Sequence, residues 1–98
     1  MERIELTSDG LYDLCQDFKA LSDESRLKII IYLLGGRQTV NAISEKVGLS
    51  QSATSHQLRI LKDAKILKCE RLGNANYYYL SDEHVKTLIL TAIEHLGC

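Results

Sequence analysis

The chain has 98 residues, of which 45% are hydrophobic, and a formal net charge of −1. This length fits a single domain over residues 1–98, and no apolar run has the length of a membrane span or the character of a signal peptide, which predicts a cytoplasmic protein without a membrane partner. The three cysteines form no CxxC pair, which argues against a disulfide framework and leaves free thiols, metal ligands or redox sensors.

Two amphipathic helices are predicted in the first third of the chain. The first spans Gly10–Leu21, and its apolar residues share one face: Leu11, Leu14, Cys15, Phe18 and Leu21. Ser22 is the expected cap of the second helix, because serine oxygens accept hydrogen bonds from helix N-termini, and Gly35-Gly36 ends it. The stripe of this second helix consists of Leu27, Ile30, Ile31 and Leu34.

Two further helices follow a short extended piece. The three segments are residues 38–40, Ala42–Val47 and Gln51–Lys65. Asn41 and Ser50 are the expected caps of the two helices. Gly48 between them occupies the position after a helix end where positive φ is common.

A hairpin and a last helix complete the chain. The runs Ile66–Leu72 and Asn76–Leu80 are strand-like, and Gly73-Asn74 between them is a hairpin signal. Ser81 is the expected cap of a helix over Asp82–Leu96. Two helices joined by a short glycine-containing turn and followed by a hairpin predict a winged helix-turn-helix, mainly α with a β-hairpin wing.

The predicted fourth helix carries polar side chains suited to reading DNA in the major groove. Its candidates are Gln51, Ser52, Ser55, His56 and Arg59. Glutamine can bond adenine, arginine can bond guanine, and serine can bond a base or a phosphate, whereas a merely solvated helix usually favours Glu, Lys and Ala. The wing adds Lys68, Arg71 and Asn74. Residues 25–81 carry nine basic and three acidic side chains, and we expect double-stranded operator DNA as a partner.

Four residues of metal-binding types lie at the two ends of the last helix. Asp82 and His84 are at its start, and His95 and Cys98 are at its end. At about 1.5 Å per residue the two histidines are roughly 16 Å apart, so one helix cannot close them on one ion. Two antiparallel copies crossing near residue 90 would bring His84 opposite the partner's His95, and Asp82 opposite its Cys98. The spacing predicts a homodimer with two inter-subunit metal sites.

The chain resembles the ArsR/SmtB family of metal-responsive repressors, and within it the zinc sensors, over nearly its whole length. The matching segments are Ala20–Leu27, Leu49–Leu58 and Tyr78–His84. The resemblance implies a repressor that dimerises through its first and last helices, the last being a metal-sensing helix over residues 82–98. It also implies that the repressor binds its operator when metal-free and releases it when Asp82, His84, His95 and Cys98 bind metal. The family's fourth ligand is usually Glu or His, so Cys98 is a departure.

Several alternatives remain open at this stage. One carboxylate, two imidazoles and a further group suit Zn²⁺, with Cd²⁺, Co²⁺ and Ni²⁺ as alternatives. A thiol-based redox or persulfide response through Cys98, Cys15 or both would keep the same fold. Cys15 falls on an apolar stripe and is expected to be buried, while Cys69 has no evident partner. Without a nucleophile–base pair or cofactor motif, we expect no enzymatic activity.

Overall fold

A computed structural model describes residues 4–97 and forms five helices and one three-stranded sheet over that range. The elements are α1 Ser8–Leu21, α2 Glu24–Leu33, β1 Gln38–Thr39, α3 Val40–Val47, α4 Gln51–Asp63, β2 Leu67–Leu72, β3 Ala75–Leu80 and α5 Glu83–Gly97. The order confirms the predicted winged helix-turn-helix. Within residues 4–97, none of the helices has the length and apolar character needed to cross a membrane.

The sheet ties the wing to the helices. Strand β3 lies in the middle and pairs antiparallel with both β1 and β2. Leu72 and Ala75 are opposite each other, so Gly73 and Asn74 form a two-residue loop. Gly73 has φ 61° there, a conformation that glycine adopts without steric cost. The hairpin predicted from the sequence is therefore confirmed.

Helix α2 lies at the centre of the core. The core residues are Ala20, Ile29, Ile30, Leu33, Ile43, Leu58, Leu61, Ile66, Leu67 and Ile89. The predicted stripe of α2 was right for Ile30, which is fully buried, and for Leu27 and Leu34, which pack against the core. It was wrong for Ile31, which is 47% exposed, and it missed Ile29, which is fully buried, and Leu33, which is nearly so. Because consecutive positions in this helix are apolar, periodicity alone does not choose which face is covered.

Three predicted helix caps were wrong by one or two residues. We predicted Ser22, Asn41 and Ser81. The caps in the structure are Asp23, Thr39 and Asp82. Each of the observed caps accepts a hydrogen bond from the backbone N–H three residues on, at 3.0, 3.2 and 3.0 Å respectively. The predicted cap Ser50 is confirmed, with 3.1 Å between its Oγ and the nitrogen of Ala53. Wherever the prediction failed, two good capping side chains are neighbours or near neighbours.

Helix α4 ends two residues earlier than predicted, in a tight left-handed turn. The N–H of Lys65 donates to Lys62 O, and the N–H of Ile66 donates to Leu61 O, both at 2.9 Å. This is the Schellman arrangement, in which the residue after the cap is left-handed. Lys65 is that residue, with φ 63°. The turn directs the chain from α4 straight into the wing.

Helices α1 and α5 expose apolar faces in the single chain. The exposed residues are Leu11, Leu14 and Phe18 on α1, and Leu88, Leu90, Ile93 and Leu96 on α5. Cys15 is also exposed in the single chain, so its predicted burial is not provided by this chain alone. The apolar stripe of α1 is real, but α1 covers the core mainly through Ala20 and Leu21 at its end.

Candidate functional sites

The outer face of α4 is polar, and its inner face packs into the core. Thr54, Leu58 and Leu61 on its inner face are fully buried. The outward side chains are Gln51, Ser52, Ser55, His56 and Arg59, and all five are exposed. The structure therefore brings the predicted reading residues of this helix onto one accessible face.

The turn between α3 and α4 is fixed by hydrogen bonds. Ser44 Oγ donates to Leu49 O at 2.6 Å, and the N–H groups of Gly48 and Leu49 donate to Ser44 O at 3.0 and 3.2 Å. Gly48 has φ 74°, as expected after a helix end. These bonds set the angle at which α4 projects from the domain.

Asn41 joins the reading surface, although sequence reasoning treated it as a helix cap. Its Oδ1 accepts a hydrogen bond from Gln51 Nε2 across the α3–α4 turn, and both residues are exposed. A glutamine whose amide is already held by a neighbour is oriented before it meets a base edge. This hydrogen bond could not be predicted from a sequence motif, because the two residues are ten positions apart.

The wing residues do not share one face. Lys68 lies opposite Tyr79 and Arg71 lies opposite Asn76, and side chains three positions apart on a strand point to opposite sides. Arg71 and Asn74 remain together near the hairpin tip, and both are exposed. Lys68 instead belongs to a hollow beneath the end of α4.

That hollow is basic. Its volume is about 390 Å³, and its lining residues are Lys62, Lys65, Leu67, Lys68, Cys69 and Tyr79. Three of the six are lysines and none is acidic. Only Lys68 was predicted from the sequence. Lys62 and Lys65 lie beside it because of the turn that ends α4.

Arg37 braces the outer side of the sheet. Its Nη1 lies 2.7 Å from Glu70 Oε1, and its guanidinium carbon lies 5.1 Å from the ring centre of Tyr79. A cation over an aromatic face is attracted to it, so one side chain connects the β1 end of the sheet to β2 and β3.

Two of the predicted metal ligands lie close together at the start of α5. Asp82 Oδ1 and His84 Nδ1 are 3.8 Å apart, and the His84 side chain is 98% exposed. The hydrogen bond from the Val85 N–H lowers the pKa of Asp82, and nearby His84 lowers it further. The carboxylate is therefore ionised at neutral pH, which is the form that binds metals.

The predicted ligand His95 is not brought to this pair within one chain. His95 is exposed in the last turn of α5, and Cys98 lies outside the described residues. Across residues 4–97, no three His, Cys, Asp or Glu side chains group closely enough to hold an ion.

Cys69 has a neighbour that sequence reasoning did not find. It lies opposite Tyr78 in the hairpin and is half-buried. Burial raises the pKa of Tyr78, and the Cys69 thiol raises it further. Tyr78 also packs against the core.

The helix–turn–helix of α3 and α4, followed by the β2–β3 wing, defines the class of winged helix-turn-helix proteins. The family described as "Bacterial regulatory protein, arsR family" matches residues 23–68. The chain is 39% identical over 92 residues to the cadmium resistance transcriptional regulatory protein CadC homolog of Staphylococcus aureus, covering 93% of this chain and 76% of that protein. This chain belongs to the arsR family.

A second relative and a solved structure agree with this assignment. The transcriptional repressor SmtB homolog of Synechocystis is 35% identical over 91 residues, covering 93% of this chain and 69% of that protein. The homodimeric winged helix-turn-helix DNA-binding domain of Mb0332 from Mycobacterium bovis superposes with a TM-score of 0.85 at 28% identity, covering 99% of this chain and 94% of that domain. Both named relatives are transcriptional regulators, a non-enzymatic class.

Proposed function

We propose that this protein is a cytoplasmic, homodimeric transcriptional repressor that binds operator DNA and releases it on binding Zn²⁺ or a similar divalent ion. The proposed metal response rests on one observation. Residues of metal-binding types lie at both ends of α5, and the apolar face of this helix is exposed in the single chain. The resemblance to zinc sensors, and the repressor and cadmium-resistance names of two relatives, favour the same assignment.

The DNA part of the proposal rests on the outer face of α4. A homodimer would place two such helices in successive major grooves of an imperfect palindrome. The exposed residues of α4 and Asn41 would read bases. Arg71 and Asn74 at the wing tip, together with Lys68 and the lysines of the basic hollow, would contact the backbone.

The metal part rests on spacing and on an uncovered surface. His84 and His95 are roughly 16 Å apart along one helix, and the exposed leucines and isoleucine of α5 would be covered by a second, antiparallel α5. Asp82 and His84 of one subunit, with His95 and Cys98 of the other, would then hold Zn²⁺, which accepts carboxylate, imidazole and thiolate ligands in tetrahedral geometry. The ion would tie the two α5 helices together and disfavour the dimer geometry that fits the operator.

The test is a titration of fluorescent native-promoter DNA, followed by anisotropy, with and without Zn²⁺. We expect Zn²⁺ to weaken binding by about tenfold or more, within the usual range of coupling between two sites. His84→Gln and His95→Gln should bind DNA normally and lose most of the zinc response. His56→Gln, the same change on α4, should weaken DNA binding and keep the response. Equal DNA affinity with and without Zn²⁺, Cd²⁺, Co²⁺ and Ni²⁺ would sink the metal proposal.

A thiol switch is the second candidate, favoured by the position of Cys15 on the face of α1 that is exposed in the single chain and that would lie near the last helix in the proposed dimer. Oxidation of Cys15 and Cys98 by a peroxide would join two thiols in a disulfide and reduce the peroxide to water. In this case Cys98→Ser abolishes the response of DNA binding to peroxide, whereas in a zinc sensor it only weakens the zinc response. Comparing both responses in this one variant separates the two candidates.

A further inference from the structure

One arginine joins the end of α1 to the reading helix. Arg26, a half-buried residue of α2, donates from Nε to Ala20 O at 2.6 Å and from Nη2 to Lys19 O at 3.4 Å. Its Nη1 donates to Gln57 Oε1 at 3.0 Å. A single planar guanidinium carried by α2 therefore contacts two other helices, α1 and α4.

The contact to α1 uses acceptors at that helix's C-terminal end. The last carbonyls of a helix lack intrahelical donors, and the partial negative charge there favours a cation. Lys19 and Ala20 contribute two of these carbonyls, so Arg26 fixes the end of the helix that exposes Leu14 and Phe18.

The contact to α4 comes from within the reading segment. Gln57 follows His56 directly, but it is half-buried where His56 is exposed. Its side chain contacts Arg26 behind the surface that faces outward. Changing this bond would rotate or shift α4 without removing any outward-facing side chain.

We propose that Arg26 is a positioning residue that sets the orientation of the reading helix relative to α1, and through α1 relative to the second subunit. This inference rests on the proposed function for its dimer and its DNA, but it does not depend on the metal. Arginine suits the role because its rigid fork donates in several directions at once, which the point charge of lysine does not reproduce.

The experiment is a double-mutant cycle on metal-free protein, with operator affinity measured by anisotropy and the dimer confirmed by sedimentation. Arg26→Gln and Gln57→Leu should each weaken binding by about tenfold, the size expected when a charge-assisted hydrogen bond is lost. The double variant should bind the operator at least as tightly as the single variant with the lower affinity, because both changes remove the same bridge. Lys28→Gln, which removes one positive charge from α2 and leaves the bridge intact, should change the affinity much less.

A second readout separates positioning from stability. Wild-type dimer should discriminate strongly against an operator with one base pair inserted between its half-sites, because half-site spacing follows dimer geometry. Gln57→Leu, which leaves the bonds to α1 intact, should relax that discrimination. A Gln57→Leu variant with wild-type affinity and spacing preference, or fully additive effects in the cycle, would overturn the inference. Failure of Zn²⁺ to release the wild type would overturn the metal proposal alone.

Discussion

At the scale of single residues, Lys65 is in a conformation that its side chain disfavours. Its φ of 63° is left-handed, and a residue with a Cβ incurs roughly 1 kcal/mol or more of steric cost there. This conformation could not be predicted, because lysine is a good helix former, and the predicted helix accordingly continued through this position. The side chain lines the basic hollow, which is a reason to keep a lysine where glycine is usual.

Replacing Lys65 by glycine should therefore raise the free energy of unfolding by about 1 kcal/mol, because glycine adopts positive φ freely. Lys62→Gly, the same change three residues earlier and inside α4, should lower it by a similar amount, about 1 kcal/mol. Thermal unfolding at one fixed protein concentration measures both. Two changes of the same sign would contradict the assigned end of α4.

At the scale of elements, helices and strands could be predicted well, but their ends could not. The polar outer face of α4, the hairpin and the cap Ser50 followed from composition and spacing. Ser22 and Asp23 are both good caps, and choosing between them needs the helix phase, which the core decides. The bridge from Arg26 to Gln57 was out of reach for a similar reason, because 31 positions separate the two residues.

The choice of cap for α2 can be tested directly. Asp23→Ala should destabilise the domain by about 1 kcal/mol, because it removes the acceptor for the Arg26 N–H. For a domain of this size that corresponds to a fall of about 4–8 °C in Tm. Ser22→Ala should leave the Tm nearly unchanged. Calorimetry of the two variants decides between the caps, and a larger loss from Ser22→Ala would restore the original prediction.

At the scale of the whole molecule, α1 and α5 expose apolar faces in the single chain. Which residues a second subunit covers could therefore not be predicted from one chain. The apolar stripe of α1 was predicted correctly, but its burial was not, since apolar spacing does not say whether the cover belongs to the same chain. Cys15 is the clearest case, because it lies on the stripe and is exposed. The metal ligands remain predictions for the same reason, as their proposed site needs two chains.

Two leucines of similar exposure provide a test of the dimer surface. Leu14 on α1 is 42% exposed and Leu72 at the wing is 45% exposed. Leu14→Asp should weaken dimerisation by about tenfold or more, because it places a carboxylate in a surface that would lose water. Leu72→Asp should leave dimerisation unchanged. Sedimentation velocity over a range of concentrations measures this, and equal effects would place the interface elsewhere.

The excess of basic residues on α4 and the wing has a kinetic consequence. Helix α4, the turn after it and the wing carry five basic residues against two acidic ones, Asp63 and Glu70; the basic ones are Arg59, Lys62, Lys65, Lys68 and Arg71. The net basic charge of this segment attracts a polyanion while the two are still about a Debye length apart, roughly 8–10 Å at physiological salt. Encounters with a duplex are then oriented before contact, so the rate of association, and not just its final strength, falls as ionic strength rises.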